Sequence, residues 1–144
     1  MTKVLIIEDS PVMRKLLTNV LLNDAGIHAV ESAPDPYVAW QLMKTFKPDV
    51  ITLDVEMPRM DGLTFLEKLM KTKPVPVVMV SAATSVGTRE TLRALELGAV
   101  DFMEKPKVDA KTGVVAMAEE LVQKVKVAAG AKLRQRDRSA SPRP

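Results

Sequence analysis

The sequence predicts an α/β, doubly wound (βα)5 fold in which a five-stranded parallel sheet of order 2-1-3-4-5 carries helices on both faces. Three observations carry that prediction. Apolar runs alternate five times with segments of helical spacing. The best-defined runs are apolar throughout and not only at every second position, the pattern of strands covered on both faces. With 144 residues, the chain has the size of one ordinary domain, which can bury a continuous core without staples. Alternation of this kind implies right-handed crossovers and an open parallel sheet.

The first strand is read at Val4 to Ile7, followed by a helix whose apolar residues Met13, Leu16, Leu17, Val20 and Leu21 share one face. Ser10 before Pro11 places a capping hydroxyl ahead of a proline suited to the first helical position. A weaker strand is expected around His28 to Glu31. Asp35–Pro36 repeats the start signal for a second helix, in which Val38, Ala39, Leu42, Met43 and Phe46 show helical spacing. Val50 to Leu53 is the third strand, and Leu63, Leu66, Leu69 and Met70 mark the third helix, with Asp61 before Gly62 as its cap. Val75 to Val80 is the fourth strand, followed by a helix through Leu92 and Leu95. Val100, Phe102 and Met103 mark the fifth strand, and Met117, Leu121, Val122 and Val125 the last helix. The domain is expected to span residues 1–127.

Charge and composition narrow the function. The chain carries +3 overall, but five basic residues against one acid give the last fifteen residues +4, so the remainder sits at −1. The basicity belongs to residues 128–144, which contain Gly130, Ser139, Ser141, Pro142 and Pro144 and are expected to form a flexible, solvated linker. A nucleic-acid role is therefore not expected. Cysteine is absent and His28 is the single histidine, which excludes disulfides, thiolate metal sites and histidine-rich clusters. No stretch approaches the roughly 18 apolar residues of a membrane span, and the start MTKVLIIEDS lacks a secretory leader. The expected setting is the cytoplasm, without membrane insertion.

In open parallel sheets, ligands collect beyond the carboxyl ends of the strands. Glu8 and Asp9 follow the first run, Asp54 follows the third with Glu56 two residues on, Ser81 ends the fourth, and the fifth runs into Lys105–Pro106. Taken singly, each has a plainer reading: an aspartate after a strand caps or turns, a serine turns, and a lysine is a solvated charge. Taken together they do something else. Glu8, Asp9 and Asp54 brought close repel one another, and a hard divalent cation relieves that repulsion. Mg²⁺ takes oxygen ligands, usually one or two carboxylates plus phosphate oxygens. Lys105 supplies a second positive charge and Ser81 a hydroxyl for phosphate oxygens. The set points to phosphoryl transfer.

Glu8–Asp9, Asp54 in LDVEMPRMDG, Ser81 after PVVMVSA and Lys105 in DFMEKP resemble, in order and spacing, the CheY-like response regulator receiver family over roughly residues 3 to 127. The resemblance implies a flavodoxin-like fold and two-component signalling. It implies that Asp54 is the phosphoacceptor and that Asp9 and Asp54 bind Mg²⁺ (or Mn²⁺) directly. The Glu56 carbonyl would be a further ligand, Glu8 would act through water, and Ser81 and Lys105 would meet the phosphoryl group. It also implies a cis bond before Pro106 and an aromatic switch at Phe102, where phenylalanine replaces the commoner tyrosine and a core role is the alternative. APDPYVA, TLDVEMPRMDGLTFLEKLM and TLRALELGAVDF further resemble the N-terminal regulatory domain of the CheB family of chemotaxis protein-glutamate methylesterases. That implies a CheA-like histidine kinase as donor and a C-terminal methylesterase domain as the regulated partner, with no esterase activity in this segment itself. The alternatives are a stand-alone CheY-like receiver, a receiver of another output class, and an aspartate-nucleophile phosphatase. The last places its nucleophile after the first strand, whereas Asp54 follows the third.

Overall fold

The computed structural model describes residues 2–54, 62–81, 89–105 and 111–140. Strand and helix alternate strictly: β1 Thr2–Ile7, α1 Pro11–Leu22, β2 Ile27–Ala33, α2 Pro36–Phe46, β3 Val50–Leu53, α3 Gly62–Thr72, β4 Val77–Ser81, α4 Arg89–Leu97, β5 Asp101–Glu104 and α5 Lys111–Ala140. All strand pairs are parallel, in the order β2-β1-β3-β4-β5. The fold class expected from the sequence is the one observed. Two of the three capping expectations hold as well: the Met13 N–H donates to Ser10 Oγ at 3.2 Å, and the Val38 N–H donates to Asp35 Oδ1 at 3.0 Å, each satisfying an orphan donor of a helix start; Asp61, the third, lies outside the described residues.

The strands separate two cores. On β1, Leu5 and Ile7 face one and Val4 and Ile6 the other; on β4 the division is Val77 and Met79 against Val78 and Val80. This is the two-residue alternation of a pleated strand with both faces dry. α2, α3 and α4 cover the first core through Ala39, Met43, Phe65, Leu66, Leu69 and Ala94, while α1 and α5 cover the second through Met13, Leu17, Leu21, Met117, Leu121 and Val125. Thr52 is the exception in this apolar lattice. It is buried on β3 and its hydroxyl has no hydrogen-bond partner among the described residues. Burying an unsatisfied hydroxyl costs stability that a methyl group does not. Thr52→Val is therefore expected to stabilise the domain by about 1 kcal/mol, read as a higher urea midpoint at an unchanged slope.

The helix expected through Leu92 and Leu95 is α4, and the end of the chain differs from the sequence expectation. In α4, Leu92 and Leu95 are 57% and 37% exposed, and the buried face is Thr91 and Ala94. Small side chains let α4 settle against the first core, and the leucines are left on the surface. The helix then stops at Gly98, whose φ of 120° suits glycine alone. From there the Ala99 N–H reaches back to the Ala94 carbonyl and the Val100 N–H joins the Val77 carbonyl of β4. The difference lies at the end of the chain. α5 continues to Ala140, so the backbone is helical well beyond residue 127, where the sequence reading begins a flexible linker. Ala128 and Ala129 are buried in the second core, and Ala131, Lys132, Leu133, Arg134 and Gln135 are strong helix formers that prolong a helix already anchored.

Candidate functional site

The carboxyl ends of β1, β3 and β5 converge on one acidic pocket. Glu8 lies just past β1, and its N–H continues the sheet ladder by donating to the Ala33 carbonyl of β2 at 3.0 Å. Asp54 lies just past β3, its N–H bonded in the same way to the Ile7 carbonyl of β1 at 3.1 Å. These acids thus stand on sheet backbone, not on a free loop. Both are buried, at 1% and 4% exposure, whereas Asp9 is exposed. Lys105, the first residue after β5, extends into the gap, placing Nζ 2.6 Å from Glu8 Oε1 and 3.0 Å from Asp54 Oδ2.

Electrostatics follow from that crowding. Burial, the Asp9 carboxyl beside it and the charge on Asp54 push the Glu8 carboxyl up to about 7, against the opposing pull of Lys105 and the Ser10 N–H. Burial pulls Lys105 down, but contacts to Glu8 and Asp54 outweigh it and leave the ammonium above its ordinary value. One lysine therefore serves two buried carboxylates and cannot fully compensate both. Ligand oxygens of Glu8, Asp9 and Asp54 lie within 4.8 Å of one another, and an all-oxygen, acid-rich donor set fits a hard divalent cation such as Mg²⁺.

The Glu8 shift has a pH signature. Its carboxyl is raised in the folded chain, so its contribution is full below the unfolded value near 4.5 and is lost as pH rises through about 7. With divalent cations chelated, wild-type melting temperature is expected to fall across that window on account of this group, and Glu8→Gln is expected to flatten the fall. Equal slopes in the two proteins would contradict the assignment.

Of the residues expected from sequence, Glu8, Asp9, Asp54 and Lys105 come together. Ser81 closes β4 at the same edge, its backbone in register with Glu104; its side chain lies outside the described set. Glu56 and Pro106, and with it the expected cis bond, also lie outside the described residues. Phe102 is half-buried on β5 with its ring against the first core. Two further side chains went unnoticed in the sequence. Arg14 Nη1 donates to the carbonyls of Glu8 at 2.8 Å and Asp9 at 3.1 Å, holding the acid-bearing turn against α1. A cation near the positive end of a helix runs against the macrodipole, and that misfit was a usable signal. Lys124 of α5 bonds to Asp101 and Phe102 of β5.

The chain matches the response regulator receiver domain family over residues 4–125. It is 55% identical over 141 residues to a protein-glutamate methylesterase/protein-glutamine glutaminase of Xanthomonas euvesicatoria pv. vesicatoria, covering 98% of this chain and 39% of that protein. The corresponding protein of Salmonella typhimurium is 50% identical over 140 residues, 97% of this chain and 40% of that one. The chain thus spans about two fifths of the curated relatives it matches. Among solved structures, the response regulator domain of Thermotoga maritima CheB superposes with a TM-score of 0.80 at 36% identity, covering 90% of this chain and 97% of that one. With its parallel sheet in the order 2-1-3-4-5 and its acids and lysine gathered at the carboxyl edge, the chain belongs to the response regulator receiver domain family.

Proposed function

We propose that this receiver accepts a phosphoryl group on Asp54 from a CheA-like histidine kinase, in a Mg²⁺-dependent reaction. The observation that carries this reading is the contact of Lys105 Nζ with both Glu8 and Asp54 in a pocket of three acids. A carboxylate oxygen of Asp54 attacks phosphorus in line, the bond from phosphorus to the kinase histidine nitrogen breaks, and that nitrogen leaves to regain a proton. Lys105 holds an equatorial oxygen of the group in flight, and the Ser81 hydroxyl donates to another. Asp9 and Asp54, with Glu8 behind them and the Glu56 carbonyl beside them, would hold Mg²⁺ (or Mn²⁺). When bound, the cation supplies positive charge that offsets the repulsion between acids and phosphate. Water then attacks the acyl phosphate and releases inorganic phosphate, which resets the site.

The curated relatives are named as methylesterases and glutaminases, and this chain aligns with about two fifths of them. That supports a regulatory role toward such an enzymatic domain in a longer protein. Among the described residues no helix is long and apolar enough to cross a membrane. Intact mass after incubation with phosphoramidate and Mg²⁺ should show one added phosphoryl group, and the same mixture with excess chelator none. Steady hydrolysis of a generic phosphate monoester would favour a phosphatase instead.

A further inference from the structure

Among the described residues β5 is an edge strand: it pairs with β4 on one side and with no strand on the other. Such an edge leaves N–H and C=O groups that need partners. At Phe102 they are taken up by a closed ring of side-chain contacts. The Phe102 N–H donates to Asp101 Oδ1 at 2.7 Å. Lys124 Nζ donates to that same oxygen at 3.2 Å and to the Phe102 carbonyl at 2.7 Å. The ammonium is also 3.4 Å from Glu120 Oε2 and lies over the Phe102 ring, 5.8 Å from its centroid. Lys124 is 23% exposed along its side chain, so its charge is partly desolvated and its directional bonds are stronger than a surface contact. One side chain from α5 thus reaches around the sheet edge and grips both the main chain and the ring of the same residue.

That residue stands three positions before Lys105. With Nζ 3.0 Å from Asp54 Oδ2, the ammonium has to shift for a phosphoryl oxygen to come between the two, and Lys105 directly follows β5, so that shift bears on the end of the strand. We propose that Lys124 is a positioning residue that latches the end of β5 and the Phe102 ring to α5, opposing the movement that admits a phosphoryl group at Asp54. The inference rests on the phosphoacceptor reading above. Removing the latch raises the population of the yielded arrangement, and uptake quickens accordingly.

The test uses the whole chain with its three phenylalanines, Phe46, Phe65 and Phe102, replaced by 4-fluorophenylalanine, the Phe102 resonance being assigned with Phe102→Leu. Without phosphodonor, Lys124→Met is expected to move the ¹⁹F resonance of Phe102 while those of Phe46 and Phe65 stay in place. Lys124→Arg, which keeps the charge and donors, is expected to restore it, and Asp101→Asn to give a smaller shift in the same direction. With phosphoramidate and Mg²⁺, initial uptake by intact mass is expected to rise about fivefold in Lys124→Met and to return to the wild-type rate in Lys124→Arg. An unmoved Phe102 resonance, three resonances moving together, or an unchanged uptake rate overturns the latch. Wild-type protein that takes up no phosphoryl group would overturn the phosphoacceptor reading instead, a result visible without any Lys124 variant.

Discussion

Asp54→Asn is expected to take up no phosphoryl group under conditions that label the wild-type chain to completion. An amide oxygen is a far weaker nucleophile than a carboxylate, and the substitution also removes one of the negative charges in the pocket. The change is nearly isosteric and keeps an acceptor for Lys105, and the Asp54 N–H to the Ile7 carbonyl is a main-chain bond that it does not touch. The variant should therefore fold, and loss of labelling can be read as loss of the acceptor. Intact mass spectrometry is the measurement, and a label persisting in the variant would move the acceptor to another residue.

Lys105→Met is the second large effect, and it acts on two quantities at once. Phosphoryl uptake is expected to fall by about 10²- to 10³-fold, the usual loss on removing one preorganised donor to a transferring group. Metal-free stability is expected to fall too, by about 2 kcal/mol, because Glu8 and Asp54 lose their shared cation while remaining buried. The figure is held below that of a fully buried ion pair because the lysine side chain is 20% exposed. Urea denaturation with and without Mg²⁺ separates the two consequences. A divalent cation that binds the three acids restores part of the midpoint by mass action, yet cannot replace a donor to phosphate. An unchanged uptake rate would remove Lys105 from the transfer step.

Much of this was legible in the sequence because it is written in local pattern. β1, β3 and β4 announced themselves as runs apolar on both faces, and β3 lies within the bounds first read, Val50–Leu53. β2 was fainter because it is the other edge of the sheet, with His28 and Glu31 exposed between buried ends. α4 was legible as a helix but not in its facing, because the leucine spacing is helical whichever way the leucines face. Only the packing distance to α3 and the sheet decides that Thr91 and Ala94 turn inward. Glu8 and Asp54 were legible because each follows directly on an apolar run, and Asp9 and Lys105 because each stands one residue further on. Arg14 and Lys124 were not: Arg14 bonds main-chain carbonyls, and Lys124 bonds a main-chain carbonyl and an aspartate 23 residues away, partners that local pattern does not mark. The extent of α5 was missed for a related reason: composition described residues 128–144 as solvated, while the anchoring of Ala128 and Ala129 is a tertiary fact.

Central strands with both faces covered leave little room for adjustment. Val4 to Ile7 and Val77 to Val80 have neighbours above and below, so almost any change of size or polarity there is felt as lost stability. The turns that carry Glu8, Asp9 and Lys105 begin where those constraints end. A protein built in this way can vary how quickly it is charged and how long it stays charged by exchanging a few residues at one rim, while the interior that holds them in register goes untouched.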